Sequence, residues 1–422
     1  MTRDQKMSCI EWVGLTSYTH KRKLKSFYSF EKGKRGNILT KTYIHENFGA
    51  FPVYSGQTEN NGVLGTIDDY EYDLDSCIFT TTVGAKVMTS KILNGKFSLS
   101  QNCLIMKNSD PQILSDKFTD YWLKPMFNYF RSLIPSYMQP SLRISDLKNY
   151  EILIPSYFEQ QAIANFLDNK TEKIEELVTV QESAIDRLKE YKQSIITEAV
   201  TKGLNSNVKF KDCGFEWKTT IPTHWSFKKL KYFTDMNSDS LSDKTDGDFR
   251  ISYIDIGSVN RNGEISNIQE LLFKNAPSRA KRILKHDDVI ISTVRTYLKA
   301  IAFVSNKYHN HICSTGFAVI RANSVTVSPR YIYYSLCSNR FINFVEACSV
   351  GTSYPAINSS SLQNMKVILP DFREQCEIAE YLDGKTEKIT TLIQIKKDKI
   401  DRLKDYKKSL IYEAVTGKIE VM

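Results

Sequence analysis

Several features that would point to common protein classes are missing from this sequence of 422 residues. No stretch reaches the eighteen or more apolar residues that a membrane-spanning helix needs, and the start, MTRDQKMSCIEW, lacks the apolar core of a signal peptide. The eight cysteines are scattered without a Cys-x-x-Cys pair, so neither a disulfide framework nor a zinc ribbon is indicated. No Gly-x-x-x-x-Gly-Lys phosphate loop occurs, which argues against ATP hydrolysis by this chain. We therefore expect a cytoplasmic protein with no membrane segment.

Charge of neither sign dominates the sequence. Lys and Arg number 57 against 48 Asp and Glu, and the net charge of +9 is spread along the chain. This excess is compatible with phosphate binding but does not establish it. Apolar residues make up 41% of the chain and aromatic residues 12%, which is enough for packed cores, and the length predicts two or three domains.

What the sequence does contain is a long internal repeat. Residues 154–204 match residues 369–419 at a constant offset of 215, without a gap, and 26 of these 51 positions are identical. Two copies at this spacing are too few and too far apart for a solenoid. The repeat predicts two domains that each end in the same element.

Both copies have the pattern of a long amphipathic helix, because apolar residues recur at steps of three, four and seven. A helix of roughly forty residues spans about 60 Å, and its apolar stripe needs a cover. The other copy can provide that cover, so we predict an antiparallel coiled coil with a pseudo-two-fold axis and with Gln181 and Lys396 as polar interruptions. The predicted helix-pair core consists of Ile174, Leu177, Ile185, Leu188, Tyr191, Ile195, Ile389, Leu392, Ile400, Leu403, Tyr406 and Leu410.

A weaker repeat precedes each helix. The runs DSCIFTTTVGA, FSLSQNCLIMKN and YWLKPMFNYFRSLI in the first half correspond in order to DDVIISTVRT, ICSTGFAVIRAN and YIYYSLCSNRFINFV in the second. Short β-branched runs followed by an aromatic amphipathic helix predict an α+β fold with two pseudo-repeated domains. We expect a first domain at 1–157, a first spacer helix at 158–204, a second domain at 205–371 and a second spacer helix at 372–422.

The two halves differ most in residues 32–70 and 248–285, which suggests a common scaffold with two unlike ligands. These stretches and the run after the second are rich in side chains that can contact a phosphate or a base edge, since Arg can bond guanine and Asn or Gln can bond adenine. The alternative is ordinary turn and surface chemistry. The candidate DNA-binding residues are Lys32, Lys34, Arg35, Tyr54, Gln57, Asn60, Asn61, Asn260, Arg261, Asn262, Arg279, Arg282, Arg295 and Tyr297.

Two other groups of residues are weak candidates for metal chemistry. His309, His311 and Cys313 alternate along one run, but three ligands without a fourth favour a structural role. Pro370, Asp371, Asp383 and Lys385 have roughly the spacing of a PD-D-x-K nuclease. Metal-dependent cleavage needs converging carboxylates, whereas these residues fall on the helical repeat and Ser156 replaces Asp371 in the first copy.

The layout of two variable domains, each followed by the same helix, resembles the specificity subunit of type I restriction-modification systems. The helical motif matches in both copies, through Glu159, Gln160, Ile163, Leu167 and Asp168 and then Glu374, Gln375, Ile378, Leu382 and Asp383. The run GFEWKTTIPTHWSFKKLKYF at 214–233 is similar to the family's entry into a target recognition domain. The first domain keeps Trp12 and a Lys-Leu-Lys but lacks the Ile-Pro and His-Trp pairs.

This resemblance implies that each domain reads one half of a split sequence in double-stranded DNA. It also implies that the helices set the gap and dock two methyltransferase subunits, with motor-nuclease subunits joining for restriction. Catalysis and cofactors, namely S-adenosylmethionine, ATP and Mg, would then belong to the partners. The absence of an Asn- or Asp-Pro-Pro-aromatic loop agrees with that division. A coiled-coil scaffold with no DNA role, or a nuclease using Lys385, are the alternatives.

Overall fold

The computed structural model of this chain describes residues 5–57, 59–84, 86–212 and 220–421. The chain divides into two compact units, which we call unit 1 (Met1–Gln181 with Asp398–Met422) and unit 2 (Glu182–Lys397). Each unit therefore contains one α/β domain and one half of each long helix. Residues 214–219 of the run at 214–233 lie outside the described residues, as do Cys213 and Ala85.

Unit 1 is built on a six-stranded sheet in the order β4-β9-β7-β8-β5-β6. Its strands and helices are β1 Lys6–Met7, β2 Leu15–Thr16, β3 Lys21–Lys23, β4 Tyr28–Lys32, α1 Lys41–Glu46, β5 Phe48–Tyr54, β6 Val63–Ile67, β7 Tyr72–Thr81, β8 Ser90–Leu99, β9 Cys103–Asn108, α2 Asp116–Ser132, α3 Ile144–Asn149, β10 Glu151–Leu153 and the first half of α4, Tyr157–Lys202. Helix α2 buries an aromatic face, because Phe118, Trp122 and Met126 recur every four residues and all are fully buried.

Unit 2 contains two four-stranded sheets, β14-β21-β18-β19 and β16-β15-β20-β17. Its strands and helices are β11 Phe210–Asp212, β12 Thr220–Pro222, β13 Ser226–Lys229, β14 Thr234–Met236, β15 Arg250–Ile254, β16 Gln269–Leu272, β17 Ala280–Ile283, β18 Val289–Ser292, β19 Ile301–Phe303, β20 Ile312–Ser314, β21 Phe317–Ala322, α5 Pro329–Cys337, α6 Asn339–Ala347, α7 Ser359–Asn364, β22 Lys366–Leu369 and the first part of α8, Phe372–Val415. The run 331–345 forms two helices instead of the single helix predicted, because extended Ser338 caps α6 by accepting a hydrogen bond from the Phe341 amide.

The two domains share a strand plan. Strand β9 pairs with β4 and β7 in unit 1, as β21 pairs with β14 and β18 in unit 2. The long strand β8 pairs antiparallel with β7 and parallel with β5, whereas in unit 2 these two roles are divided between β19 and β20. The predicted α+β fold with two pseudo-repeated domains is confirmed.

The long helices pack antiparallel within each unit. In unit 1, Ile163, Leu167 and Ile174 of α4 share a core with Leu410 and Ala414 of α8, and Lys407 forms an ion pair with Glu175. In unit 2 the core contains the residues that lie 215 positions away in the sequence, namely Ile378, Leu382 and Ile389 of α8 with Ile195 and Ala199 of α4. Each copy of the repeat therefore contributes its beginning to one unit and its end to the other.

Four of the residues predicted for the helix-pair core are exposed instead. Leu177 is 45% exposed, Tyr191 53%, Leu392 46% and Tyr406 55%. Ile174 and Val178 contact the core of unit 1, and Leu177 lies about 100° around the helix from Val178. The apolar stripe of the sequence is therefore wider than the buried seam. Of the other predicted residues, Leu188 and Leu403 are partly buried, and the buried ones are Ile174, Ile185, Ile195, Ile389, Ile400 and Leu410.

Candidate nucleic-acid interface

The three basic candidates of the first divergent stretch differ in their exposure and in their hydrogen-bond partners. Lys32 and Lys34 are exposed at the end of β4 and in the following turn. Arg35 donates two hydrogen bonds of 2.7 Å to the Asp69 carboxylate and lies 3.6 Å from Glu71. The Arg35 guanidinium holds the pKa of Asp69 below its usual value. Arg35 therefore holds its own loop in place, and Lys32 and Lys34 are the two of these three basic candidates that are exposed.

Two of the candidates at the end of β5 and in the turn after it, Tyr54 and Asn61, contact a lysine that the sequence analysis missed. The Lys91 ammonium lies 4.1 Å from the centre of the Tyr54 ring and donates a hydrogen bond to the Asn61 carbonyl. Burial lowers the pKa of Lys91. Asn60 and Asn61 have left-handed backbone conformations, with φ of 50° and 55°, and the Gln57 amide donates to the Val63 carbonyl at 2.7 Å. These residues form a tight turn over the sheet edge.

Beside this turn lies an open cleft of about 370 Å³ in unit 1. It lies where the loop after β4, the turn after β5 and the β8–β9 turn meet, and four side-chain amides line it: Asn37, Gln57, Gln101 and Asn102. Gln57 alone was predicted. The sequence signal that could have identified Gln101 and Asn102 is their position in a short polar turn between two apolar runs, directly before the run CLIM.

In unit 2, the side chains of the Asn-Arg-Asn run are divided between structure and surface. The Asn260 side chain accepts hydrogen bonds from the Asn262 and Glu264 amides at 2.9 and 3.1 Å and donates to the Glu264 carboxylate at 2.6 Å. It therefore closes the turn itself, as the turn-chemistry alternative supposes. Arg261 and Asn262 are exposed at its tip.

Arg279 and Arg282 also have partners inside unit 2. Arg279 donates to the Asp255 carboxylate at 3.3 Å, and its hydrogen bond with Tyr253 helps to raise its pKa. Arg282 donates to the Ser240 hydroxyl at 3.2 Å. The Arg279 side chain is nevertheless 57% exposed, whereas Arg282 is half-buried. Arg279 is therefore the more accessible of the two to a ligand.

Arg295 and Tyr297 lie in a strained loop that is a stronger candidate. Arg295 and Lys299 bracket a short turn with φ of 52° and 54°, a conformation that non-glycine residues rarely adopt. The Arg295 guanidinium lies 5.1 Å from the centre of the Tyr354 ring, within cation–π range. Tyr354 is 67% exposed and Tyr297 is 51% exposed. The sequence analysis missed Tyr354, which is brought to Arg295 by a loop nearly sixty positions later.

The two metal candidates are not assembled as sites. Cys313 is buried, which raises the pKa of its thiol, whereas His311 is half-buried and His309 is exposed. Asp371 caps α8 by accepting the Glu374 amide at 2.9 Å, and Asp383 accepts hydrogen bonds from Arg330 and Tyr334. Within the described ranges, no group of three or more His, Cys, Asp or Glu side chains could hold a metal ion. The nuclease alternative therefore lacks converging carboxylates.

The repeated motif residues fasten each helix to its domain. Gln160 is fully buried, accepts the Ser115 amide at 2.8 Å and donates to the Pro155 carbonyl at 3.0 Å. Gln375 makes the matching bonds, to the Ser328 amide at 2.9 Å and the Pro370 carbonyl at 3.0 Å. This glutamine of the motif therefore has a structural role. It is the same in both copies because each long helix is bonded to its domain in the same way.

A family model described as "Type I restriction modification DNA specificity domain" matches residues 19–198 and again residues 222–404. The chain belongs to this family. The two matches make it a type I specificity chain with two specificity domains, each match including a variable domain and most of its following helix.

Individual relatives agree with this assignment. The type I restriction enzyme MjaVIII specificity subunit of Methanocaldococcus jannaschii is 24% identical over 339 residues, which are 78% of this chain and 76% of that protein. The putative type I specificity subunit S.MpnORF285P of Mycoplasma pneumoniae is 34% identical over 133 residues, 32% of this chain and 42% of that protein. The matches span about half the length of the Mycoplasma relatives.

Two solved structures share the fold. A chain from a study of complex assembly and conformational transition of the type I R-M system has a TM-score of 0.68 at 14% identity and covers 95% of this chain and 98% of that one. The HsdS subunit from Thermoanaerobacter tengcongensis has a TM-score of 0.51 at 15% identity, covering 95% and 97%. In the part of this specificity chain that the structure describes, no helix is long and apolar enough to cross a membrane.

Proposed function

We propose that this specificity chain is the DNA-reading, non-catalytic subunit of a type I restriction-modification complex in the cytoplasm, and that each domain reads one half of a split target. The observation that carries the proposal is the repeated strand plan with different exposed loops. Unit 1 presents Lys32, Lys34 and an amide-lined cleft, whereas unit 2 presents Arg261 and the Arg295–Tyr354 loop. Half-sites read on one face of B-DNA lie about 34 Å apart, a distance that long helices can span.

The exposed apolar residues of the long helices support docking of two methyltransferase subunits. Leu177 and Val180 on α4 correspond to Leu392 and Ile395 on α8, and Tyr191 corresponds to Tyr406, each pair being 215 positions apart. All six side chains are 45–59% exposed. Each unit thus carries the same set of one leucine, one β-branched residue and one tyrosine. A patch that occurs twice fits two copies of one partner.

In this proposal the chemistry belongs to the partners. Methyltransferase subunits would bind S-adenosylmethionine and methylate adenine, and motor-nuclease subunits would use ATP and Mg. The carboxylates of the nuclease alternative support this division because they are engaged in capping α8 and in holding Arg330 and Tyr334.

The first test is a methylation map of the source cell's genome, read by long-read sequencing, with the gene intact and with the gene deleted. We expect one split motif with a fixed gap to lose its methyladenine in the deletion strain. An unchanged map in a cell that expresses the protein would contradict the proposal and favour a scaffold role. Binding to duplex DNA should also weaken steeply with salt, whereas a scaffold would show no such binding.

A second test addresses the helices. Leu177→Ala with Leu392→Ala should reduce copurification of the methyltransferase subunit by tenfold or more, because each substitution removes the exposed leucine of one set. Glu176→Ala with Thr391→Ala alters the neighbouring exposed positions and is the matched control. Equal losses in both double variants would contradict docking through the apolar residues.

A further inference from the structure

The amide-lined cleft of unit 1 has a chemistry that suits a base more than a phosphate. None of the described residues that line it is charged. Phosphate contacts in DNA complexes are commonly made by Lys and Arg, whereas base edges are read by groups that offer donors and acceptors in a fixed pattern. A neutral cleft beside the exposed Lys32 and Lys34 therefore matches a base-reading site with phosphate-binding cations nearby.

At the centre of this chemistry is a pair of amides from two different loops. Gln101 Nε2 donates a hydrogen bond to Asn37 Oδ1 at 2.7 Å, and both side chains are exposed. Whichever way the two amides are turned, their mutual bond uses one donor and one acceptor. The residue that donates keeps its own carbonyl oxygen and one N–H group outside this bond, and the residue that accepts keeps both of its N–H groups. The pair therefore still offers a hydrogen-bond acceptor and a hydrogen-bond donor from two different residues. The major-groove edge of adenine offers the complementary pattern, the N6 donor and the N7 acceptor.

The backbone beneath this pair is held in place. Thr82 donates its amide to the Asn102 carbonyl at 2.7 Å, and Ser100 donates its amide to the Tyr54 carbonyl at 2.8 Å. On the other side, the Asp69 carboxylate holds Arg35, two residues before Asn37. Both amides are therefore presented by loops that are already ordered, which lowers the entropy cost of binding.

The second domain repeats the turn and changes its side chains. Thr293 donates its amide to the Gly316 carbonyl at 2.8 Å, which is the counterpart of the bond from Thr82 to Asn102. At this turn unit 2 has Thr315 and Gly316 where unit 1 has Gln101 and Asn102. The backbone bond is the same in the two domains, while the side chains at the turn differ. Two domains that read different half-sites would need this combination.

From these observations we propose that the Gln101–Asn37 amide pair reads an adenine in the half-site bound by the first domain. This inference rests on the proposed function and adds the residues and the base. Loss of a bidentate contact of this kind reduces discrimination against other bases roughly 5- to 150-fold.

The test replaces the gene in the source cell by Gln101→Ala, by Asn37→Ala or by the control Asn94→Ala, and maps adenine methylation by long-read sequencing. Asn94 is an exposed amide of the same domain that does not line the cleft. We expect both cleft variants to relax the motif at the same single position of one half-site, an A on one strand. In the two cleft variants, the gap and the other half-site should remain as in the wild type. The Asn94→Ala variant should methylate the unchanged wild-type motif.

Other results separate the two proposals. If Gln101→Ala methylates the unchanged motif, the adenine-reading inference is wrong while the specificity role stands. If no motif depends on the wild-type gene, the proposed function itself fails. If Gln101→Ala abolishes methylation, the purified complex is tested on duplexes with each base at each position of that half-site. Lost discrimination at one adenine then supports the inference, and a uniform loss at all positions overturns it.

Discussion

The Tyr121 hydroxyl donates a hydrogen bond of 2.8 Å to the Asp168 carboxylate, and Tyr334 makes the same contact with Asp383 in the other unit. Burial raises the pKa of both tyrosines, so the phenols remain protonated donors at neutral pH. These bonds join the domain helix to the long helix within each unit. Since the aspartates occupy matching positions of the repeat, the family motif encodes this joint in both halves.

Tyr121→Phe should therefore loosen unit 1 selectively. Loss of a hydrogen bond to a charged group costs about 1.5–3 kcal/mol, and we expect hydrogen exchange in α2 and the first half of α4 to quicken accordingly. Tyr334→Phe is the matched variant and should act on α5 and the first part of α8 in the same way. Unchanged exchange rates in either variant would contradict the role of its bond.

Substitution of the buried glutamine in each joint should lower the stability of its unit more than substitution of an exposed glutamine. Gln160→Leu leaves the Ser115 amide and the Pro155 carbonyl without this partner, so we expect a loss of about 2–3 kcal/mol in unit 1. Gln269→Leu, at an exposed position of β16, should change stability little. Thermal melting with local hydrogen exchange measures both, and equal effects would show that burial is not the cause.

Replacing Arg295 by glycine should separate folding from DNA binding. Glycine adopts the left-handed conformation of this position without strain, so the folded state should be as stable as the wild type or more stable. Loss of the guanidinium and its stack on Tyr354 should reduce affinity for the specific duplex by tenfold or more. Fluorescence anisotropy of the assembled complex measures the affinity, and wild-type binding would exclude Arg295 from the interface.

Acid should weaken unit 2 partly through Asp239. Hydrogen bonds from Lys285 and Arg321 lower the pKa of the Asp239 carboxyl below its usual value near 3.8. A lowered folded-state pKa contributes stability above the unfolded-state pKa, and that contribution disappears as the pH falls through the folded-state pKa. Asp239→Asn should therefore destabilise unit 2 at pH 6 and show a smaller further loss below pH 4. A melting series from pH 6 to pH 3 would reveal parallel curves if Asp239 had no such role.

Lys385→Ala tests the remaining enzyme alternative. Lys385 is exposed on α8 and lies 5.5 Å from the centre of the Tyr381 ring. We expect the purified chain with Mg to leave duplex DNA intact before and after the substitution. Metal-dependent cleavage by the wild-type chain that disappears in Lys385→Ala would instead support a nuclease.

Much of this architecture could be predicted from the sequence because of the internal repeat. Identical spacing of apolar residues in 154–204 and 369–419 requires two similar helices, because burial of a regular stripe depends on local periodicity. Gly203, with φ of 81°, directly follows the last residue of α4, and a glycine in this left-handed conformation is a common local signal for the end of a helix. The order of short strands before each helix likewise follows from local β-branched runs.

Tertiary structure decided which of these residues are buried, bonded or free. Leu177 and Ile174 share one stripe, yet only Ile174 is buried, because helix packing selects a seam narrower than the stripe. Both Arg35 and Arg295 were candidate DNA contacts on the basis of the sequence. In the structure the Arg35 guanidinium bonds to Asp69, whereas a strained loop places the Arg295 guanidinium on the Tyr354 ring. The Gln101–Asn37 pair joins residues 64 positions apart. Such contacts depend on how distant loops meet, which no local pattern records.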